Sequence, residues 1–461
     1  MEAGKEKWIQ EREDQVEAKG KGTLKTFWLT GESEDTSSSA PSRISDSNDS
    51  KVGYGNENTT QPELNTIRGM TSKDLRLVEW NVEVLRRALG KIQLQRKQSD
   101  PTHNEASSTV RLLEETYCQG NDGVIKEVRD VISFPSPDRK QRIEMGNAED
   151  FKLPQVIEDE LRQYVAAIAS LYEKNPFHSF EHASHVTMST CKLLSRVVES
   201  EPSALDGSAT ASPATIIKAD PLTQFALILS AIIHDASHPG VPNTTLVQEE
   251  CALAKAYENK SVAEQQSCVL CFVLLMQEEF QNLRKAIYTN QTELERFRAV
   301  VVNAVMATDV MDKQLGADRK ARWERAFSQS HQGESREVEV NRKTTIVLEH
   351  LIQASDVSHT MQHWHVYSKW NECLFKEMMQ AYQQGRSEKS PASFWYIGEL
   401  RFLDYYVIPL AKKLSDCGVF GVSSDEYLDY ALRNRKEWES RGQEIVASLV
   451  EKYGGGSGGG Q

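Results

Sequence analysis

From Gly146 to the C-terminus, almost every segment of this chain repeats its apolar residues at intervals of three and four, and the alternation that makes a strand is nearly absent. Ile157, Leu161, Tyr164, Val165, Ile168, Leu171 and Tyr172 fall on one helix face. Pro221 stands at the first turn of another helix behind Asp220 as N-cap, and Thr292 with Glu295 reads as a capping box opening a third. Further helices are expected near 246–257, 261–275, 341–357, 361–384, 394–415 and 424–450. Such a stretch, roughly 300 residues long, exceeds a four-helix bundle and predicts an all-α, compact multi-helix domain.

The flanks differ. Between residues 33 and 50 there are eight Ser, with Asp, Glu and Asn filling much of the rest. That is too little apolar surface to offset chain entropy, so residues 32–70 are expected to form a disordered linker. Residues 201–212 read as a polar loop between helices, and 454–461 as a random-coil Gly/Ser tail. Over 71–98, capping by Thr71 and Asp74 opens a helix whose apolar residues are Leu75, Val78, Val82, Leu85, Leu89 and Ile92. This amphipathic heptad seam suits either a homodimer or packing along the neighbouring domain, and the spacing leaves both open.

The 461 residues carry 54 Lys+Arg against 67 Asp+Glu, a net charge of −13, which attracts neither nucleic acid nor anionic lipid. An acidic chain that handles phosphate needs metal cations. No apolar run approaches the ~18 residues of a membrane helix, and the opening MEAGKEKWIQ lacks a signal peptide's apolar stretch. The seven cysteines (Cys118, Cys191, Cys251, Cys268, Cys271, Cys373 and Cys417) are odd in number and scattered, as reduced core thiols are. Only Cys268 and Cys271 have CxxC spacing, and nothing nearby completes a zinc site. The expectation is a soluble, cytoplasmic protein.

Five of the eleven histidines lie between residues 178 and 238: His178, His182, His185, His234 and His238. His178 and His182 stand four apart and are expected to share a helix face just after a turn at Asn175 and Pro176. His234 and Asp235 end the apolar run FALILSAIIHD, where a charged Asp demands a partner. A single His on an apolar face is more often a satisfied core residue, and that reading is kept for His185, His350, His363 and His365. The pairs resist it together. Imidazoles from two helices with a bridging carboxylate make a ligand set for a divalent cation, and Asp356, closing IVLEHLIQASDV, is the natural further ligand.

The order H-x3-H, then HD, then a distant D resembles the HD superfamily of metal-dependent phosphohydrolases. Around it, NPFHSFEHASHV, AIIHDASHPGVPN, VMATDV, ASDVSH and ELRFLDYYVIPL are similar, in order and spacing, to the class I cyclic nucleotide phosphodiesterases over residues 123–450. The resemblance implies an all-helical catalytic domain of signal transduction that hydrolyses the 3′ phosphoester of cAMP or cGMP to the 5′-nucleotide. It implies two divalent metals: a tightly held, zinc-like ion bound by His182, His234, Asp235 and Asp356, and a hydrated Mg²⁺ or Mn²⁺ also touched by Asp235. By the same resemblance His238 and Thr308 contact waters on the metals, and Glu264 is a further acid of the pocket. His178 becomes the general acid that protonates the departing 3′ oxygen without binding metal.

The resemblance also makes Phe402 the aromatic clamp on the purine and puts Glu399 where the family carries glutamine. Glutamine both donates and accepts, whereas an ionised carboxylate only accepts. Guanine N1–H and adenine N6–H are both donors, so Glu399 serves either while repelling an adjacent acceptor; the balance favours cGMP over cAMP. Turned to solvent, Glu399 would read nothing. Phe177, His185, Gln265 to Ser267, Lys313 and His359 also depart from common family residues. Two other readings remain, an HD-type phosphohydrolase acting on nucleoside mono- or triphosphates and a non-catalytic cyclic nucleotide sensor. Finally, KGKGTLKTFWL (19–29) resembles the closing strand segment of a class III nucleotide cyclase. That implies a cyclase remnant over 1–31 and a fusion of cyclase to phosphodiesterase, the cytosolic part of a larger membrane-anchored protein.

Overall fold

The computed structural model describes residues 9–11, 16–18, 22–24, 27–29, 70–98, 110–114, 123–136, 151–198, 212–327, 334–420 and 425–455. Most of the expected linker 32–70, nearly all of the loop 201–212, the tail from 456 and Cys118 lie outside them. The chain divides into two units, Met1–Thr59 and Thr60–Gln461. In the first, β1 (Ile9–Glu11) pairs antiparallel with β4 (Phe27–Leu29), and β2 (Val16–Ala18) with β3 (Gly22–Leu24).

Among its described residues the second unit has helices and no strand, as the periodicity requires. Its helices are α1 (Ser72–Gln98), α2 (Gln155–Leu171), α3 (Phe180–Ser195), α4 (Pro213–Ala219), α5 (Pro221–Ile233), α6 (Asn243–Gln248), α7 (Ala252–Ala256) and α8 (Val262–Leu275). They continue with α9 (Gln281–Ile287), α10 (Gln291–Ala307), α11 (Lys313–Phe327), α12 (Arg336–Asp356), α13 (Trp364–Gln383), α14 (Trp395–Phe402), α15 (Ile408–Asp416) and α16 (Asp425–Tyr453).

Helix α5 is apolar on all sides and is buried along its length except at Gln224. It packs against α1, α3, α10 and α12, the arrangement that a helix without a polar face requires. Asp220 precedes Pro221 as expected, and its carboxylate accepts the Thr223 hydroxyl at 2.7 Å and pairs with Arg296 at 3.1 Å. Pro213–Ala219 with Pro221–Ile233 forms a bent apolar pair inside this core, and no single described helix is long and apolar enough to cross a membrane.

The seam of α1 is spent within the chain. Val78, Val82, Leu85, Leu89 and Ile92 are all buried, and α1 lies on α2, α3, α5 and α9. Asn81 Nδ2 donates to Ser184 Oγ at 2.9 Å, and Arg96 donates to the carbonyls of Ala286 and Ile287 at 2.7 Å each. Of the two uses open to this seam, packing along the domain is the one seen, so its apolar face is not available to a coiled-coil partner. The Thr71 and Asp74 box forms reciprocally, with Thr71 N–H reaching Asp74 Oδ2 and Asp74 N–H reaching Thr71 Oγ1 at 3.1 Å each.

Three local expectations are corrected. Helix α10 is capped by Asn290, whose Oδ1 takes the Glu293 N–H at 3.0 Å, and Glu293 reaches back to Thr289; Thr292 and Glu295 do not form the box. The helix expected over 246–257 is two short ones, α6 and α7, because Glu250 takes a left-handed conformation (φ 49°) between them. The helix expected over 394–415 contains a π-helical turn, Leu403–Val407, between α14 and α15.

Candidate metal centre and active site

Helix ends bring the ligands together. The core helix α5 delivers His234 and Asp235 immediately after its last turn. Asp356 is the last residue of α12, and His182 lies in the first turn of α3. Helix α3 starts at Phe180, with Ser179 Oγ accepting the His182 N–H at 3.3 Å. His178 therefore sits in the turn before the helix and does not share its face with His182, which corrects the expectation from four-residue spacing.

His182 Nε2 lies 3.0 Å from Asp356 Oδ1 and 3.8 Å from Asp235 Oδ2. His234 Nε2 lies 3.0 Å from Asp235 Oδ2 and 3.4 Å from Asp356 Oδ1. His234 Nδ1 points at the Ala231 carbonyl, 3.0 Å away, which places the proton on Nδ1 and leaves Nε2 with a lone pair. That Nε2 is buried without a hydrogen-bond partner among the described residues. A lone pair facing two carboxylate oxygens needs positive charge between them. Burial would depress the His234 pKa, but Asp235 and Asp356 hold it well above its ordinary value, so without a cation a proton takes the Nε2 position that a metal ion would otherwise fill. Burial would likewise raise Asp235, but the charges of His234 and His178 hold it well below the usual carboxylate range. Two imidazoles and two carboxylates at these distances fit a divalent cation in both donor chemistry and charge.

Ligand atoms of His182, His234 and Asp356 gather as one cluster, and those of His178, Asp235 and His238 as a second. Asp235 reaches towards both. His238 stacks on His178, ring centroids 3.7 Å apart; burial and the charge of His178 push it down to about 3, so it is neutral. The loop that carries it turns at Gly240 (φ +68°). There Asn175 Nδ2 donates to the His238 and His178 carbonyls at 2.7 and 3.2 Å.

Glu377 of α13 was not legible in the sequence, yet it organises His178. Its Oε2 accepts the backbone N–H groups of Phe177 and His178 at 2.8 and 3.0 Å, and its Oε1 takes His178 Nδ1. Burial alone would lower His178, but the Glu377 carboxylate outweighs it, with help from Asp235, and raises the imidazole to about 9. With Nδ1 engaged, Nε2 is the nitrogen left for a substrate. The available signal was a single acid within the apolar helix sequence LFKEMMQAY, a group that burial obliges to find a partner.

Glu264 sits in an acidic group with Asp309. Asn243 Nδ2 donates to Glu264 Oε2 at 2.8 Å and to Asp309 Oδ2 at 3.4 Å, and Ser261 Oγ donates to Asp309 Oδ2 at 2.7 Å. Burial, then the Asp309 charge, raises Glu264 to about 8, so its carboxyl is largely protonated at neutral pH. Thr308 ends α10 with its hydroxyl donating to the Val305 carbonyl at 2.8 Å, which leaves it only acceptor capacity. Glu399 and Phe402 lie three residues apart on α14, hence on one face. The Tyr367 hydroxyl donates to Glu399 Oε1 at 3.0 Å, and the Phe402 ring stacks with Tyr406 at 5.4 Å. His350 is a satisfied core residue, its Nδ1 directed at the Ile346 carbonyl 2.8 Å away. Cys268 and Cys271 are buried, as expected of core thiols.

The family described as 3′5′-cyclic nucleotide phosphodiesterase matches residues 177–419, more than half of the chain. The 3′,5′-cyclic-nucleotide phosphodiesterase regA of Dictyostelium discoideum is 25% identical over 361 residues, covering 74% of this chain and 41% of its own length. The 3′,5′-cyclic-AMP phosphodiesterase isoform F of Drosophila melanogaster is 29% identical over 294 residues, covering 60% and 40%. The chain thus spans about two fifths of the length of these curated relatives. Among solved structures, the phosphodiesterase domain of Salpingoeca rosetta rhodopsin phosphodiesterase matches with a TM-score of 0.50 and 22% identity, over 65% of this chain and 86% of that one. At that identity the likeness speaks to the all-helical fold.

Proposed function

Because the chain belongs to the 3′,5′-cyclic nucleotide phosphodiesterase family, we propose that it hydrolyses the 3′ phosphoester of a cyclic nucleotide to the 5′-nucleotide, cGMP ahead of cAMP. The observation that carries the reading is the convergence of His182, His234, Asp235 and Asp356 beside a His178 that Glu377 keeps protonated. The four residues would hold a zinc-like ion, with Asp235 shared with a Mg²⁺ or Mn²⁺. When bound, such ions neutralise phosphoryl oxygens and lower the pKa of water towards neutrality, to about 7.

The chain's own residues supply the rest. His178, charged at neutral pH and fixed through Nδ1, holds a proton at Nε2 for the 3′ oxygen as its bond to phosphorus breaks. Glu377 orients that ring and maintains its charge. His238, neutral and stacked on His178, and Asn175 fix the approach of the turn. Phe402, on the same helix face as Glu399, offers an aromatic surface to the purine whose edge Glu399 reads. We also propose that the 1–31 segment is the end of a cyclase domain, a reading supported by the strand at β3 and β4.

The test supplies purified protein and Mg²⁺ or Mn²⁺ with cAMP and cGMP separately, and follows 5′-nucleotide release. Turnover of cyclic substrate is expected. Binding of cyclic nucleotide without conversion would favour a sensor, and cleavage of nucleoside mono- or triphosphates alone would favour another HD-type phosphohydrolase.

A further inference from the structure

Building on the phosphodiesterase reading, we propose that Glu399 selects between purines by gaining or losing a proton rather than by turning its side chain, with Tyr367, Asn371 and Trp395 as the residues that hold it in position. The argument starts from obligate donors. An indole N–H can only donate, and Trp395 Nε1 donates to Asn371 Oδ1 at 3.1 Å. The oxygen of Asn371 is thereby used, so towards Glu399, whose ionised form it favours, Asn371 can present only its amide nitrogen. Tyr367, fully buried between the rings of Trp364 (5.2 Å) and Trp438 (6.0 Å), gives its hydroxyl proton to Glu399 Oε1. Both neighbours are therefore fixed as donors towards one carboxyl.

A carboxylate rotated by half a turn about its last bond presents the same two acceptors, so rotation cannot change what it reads. Adding a proton can. The groups acting on the carboxyl are Tyr367 and Asn371 of α13, and no charged side chain among the described residues offsets it. From α16 the nearest ring in this group is Trp438, which is uncharged and donates to the Tyr396 carbonyl at 3.1 Å. Tyr367 is itself held well above its ordinary pKa by burial and by Glu399, so it stays a neutral donor. Burial pushes Glu399 up to about 7 against the pull of its two donors.

The two forms recognise different edges. Protonated, the carboxyl donates O–H to adenine N1 while its carbonyl oxygen accepts from N6–H. Ionised, it has nothing to give N1 and sets a negative oxygen against that lone pair. Guanine presents N1–H and N2–H side by side, two donors that match an ionised carboxylate. The preference for cGMP over cAMP therefore rises as pH increases through the Glu399 transition.

The test measures kcat/KM for both nucleotides between about pH 6 and about pH 8 and takes their ratio, so that ionisations common to both substrates, that of His178 included, cancel. The cGMP:cAMP ratio is expected to rise by about tenfold across this range, the worth of one hydrogen bond gained or lost. Glu399→Gln, which keeps a donor and an acceptor at every pH, should give a flat ratio. Tyr367→Phe removes a donor that favours the ionised form, and should move the rise to higher pH. A flat ratio in the unaltered protein, or an unchanged rise in Glu399→Gln, overturns the proposal. Absence of any turnover of either nucleotide overturns the phosphodiesterase reading instead.

Discussion

Glu377 grips His178 across 199 residues of sequence, one carboxylate taking the imidazole Nδ1 together with the backbone N–H groups of Phe177 and His178. The arrangement fixes the ring and keeps it protonated at neutral pH, with the imidazole at about 9. His178→Ala should lose roughly 10²–10⁴ in turnover while keeping its bound metal. Glu377→Gln should lose about 10–100-fold in kcat, as expected for a partner that orients a catalytic ring, with KM nearly unchanged. Steady-state kinetics with metal analysis checks both, and metal loss in His178→Ala would contradict the acid role.

Asp356 touches both ligand imidazoles, 3.0 Å from His182 and 3.4 Å from His234. Removing it leaves two buried rings with one carboxylate. Asp356→Ala should therefore purify without the tightly held ion, as read by elemental analysis, and should show no turnover on addition of Mg²⁺ or Mn²⁺. Chelator treatment of the unaltered protein should abolish turnover, and added divalent metal should restore it. Full metal content in Asp356→Ala would remove this residue from the site.

Gly240 has φ +68°, and a Cβ built there would meet Asn175 Oδ1 at 2.9 Å. Gly240→Ala should cost about 1–3 kcal/mol for the left-handed backbone alone. It should also loosen Asn175 from the His178 and His238 carbonyls. Thermal unfolding and kinetics together should show turnover falling by more than the loss of folded protein accounts for.

Leu85 is fully buried in the seam of α1. Leu85→Ala should cost about 2–5 kcal/mol in urea unfolding, with a midpoint independent of protein concentration. A midpoint that rises with concentration would show the seam working between chains.

The candidate metal ligands were legible because apolar runs end abruptly in His234–Asp235 and in Asp356, and a charge at the end of a buried helix must be matched. The helical class was legible for a related reason: the period of the apolar residues fixes which face is buried, as along α1 and α2. Glu377 was not, because its partner lies in a turn far away in sequence, and spacing reports only local neighbours. Local competition hid other details. Ser179 outcompeted the Asn175–Pro176 turn as the start of α3, and Asn290 outcompeted Thr292 in capping α10. The candidate base-reading group was visible as the unusual acid Glu399, but the Tyr367 donor and the neighbouring Asn371 that hold it emerge only when α13 packs beside α14.

The most direct measurement is hydrolysis of cyclic nucleotide in heavy-oxygen water with Mg²⁺ present, followed by mass analysis of the product. The account predicts a 5′-nucleotide carrying one solvent oxygen on phosphorus and none on the ribose, because attack is at phosphorus and the 3′ oxygen departs with a proton from His178. Label on the ribose 3′ oxygen, or cyclic nucleotide recovered unchanged from metal-loaded protein, would contradict it.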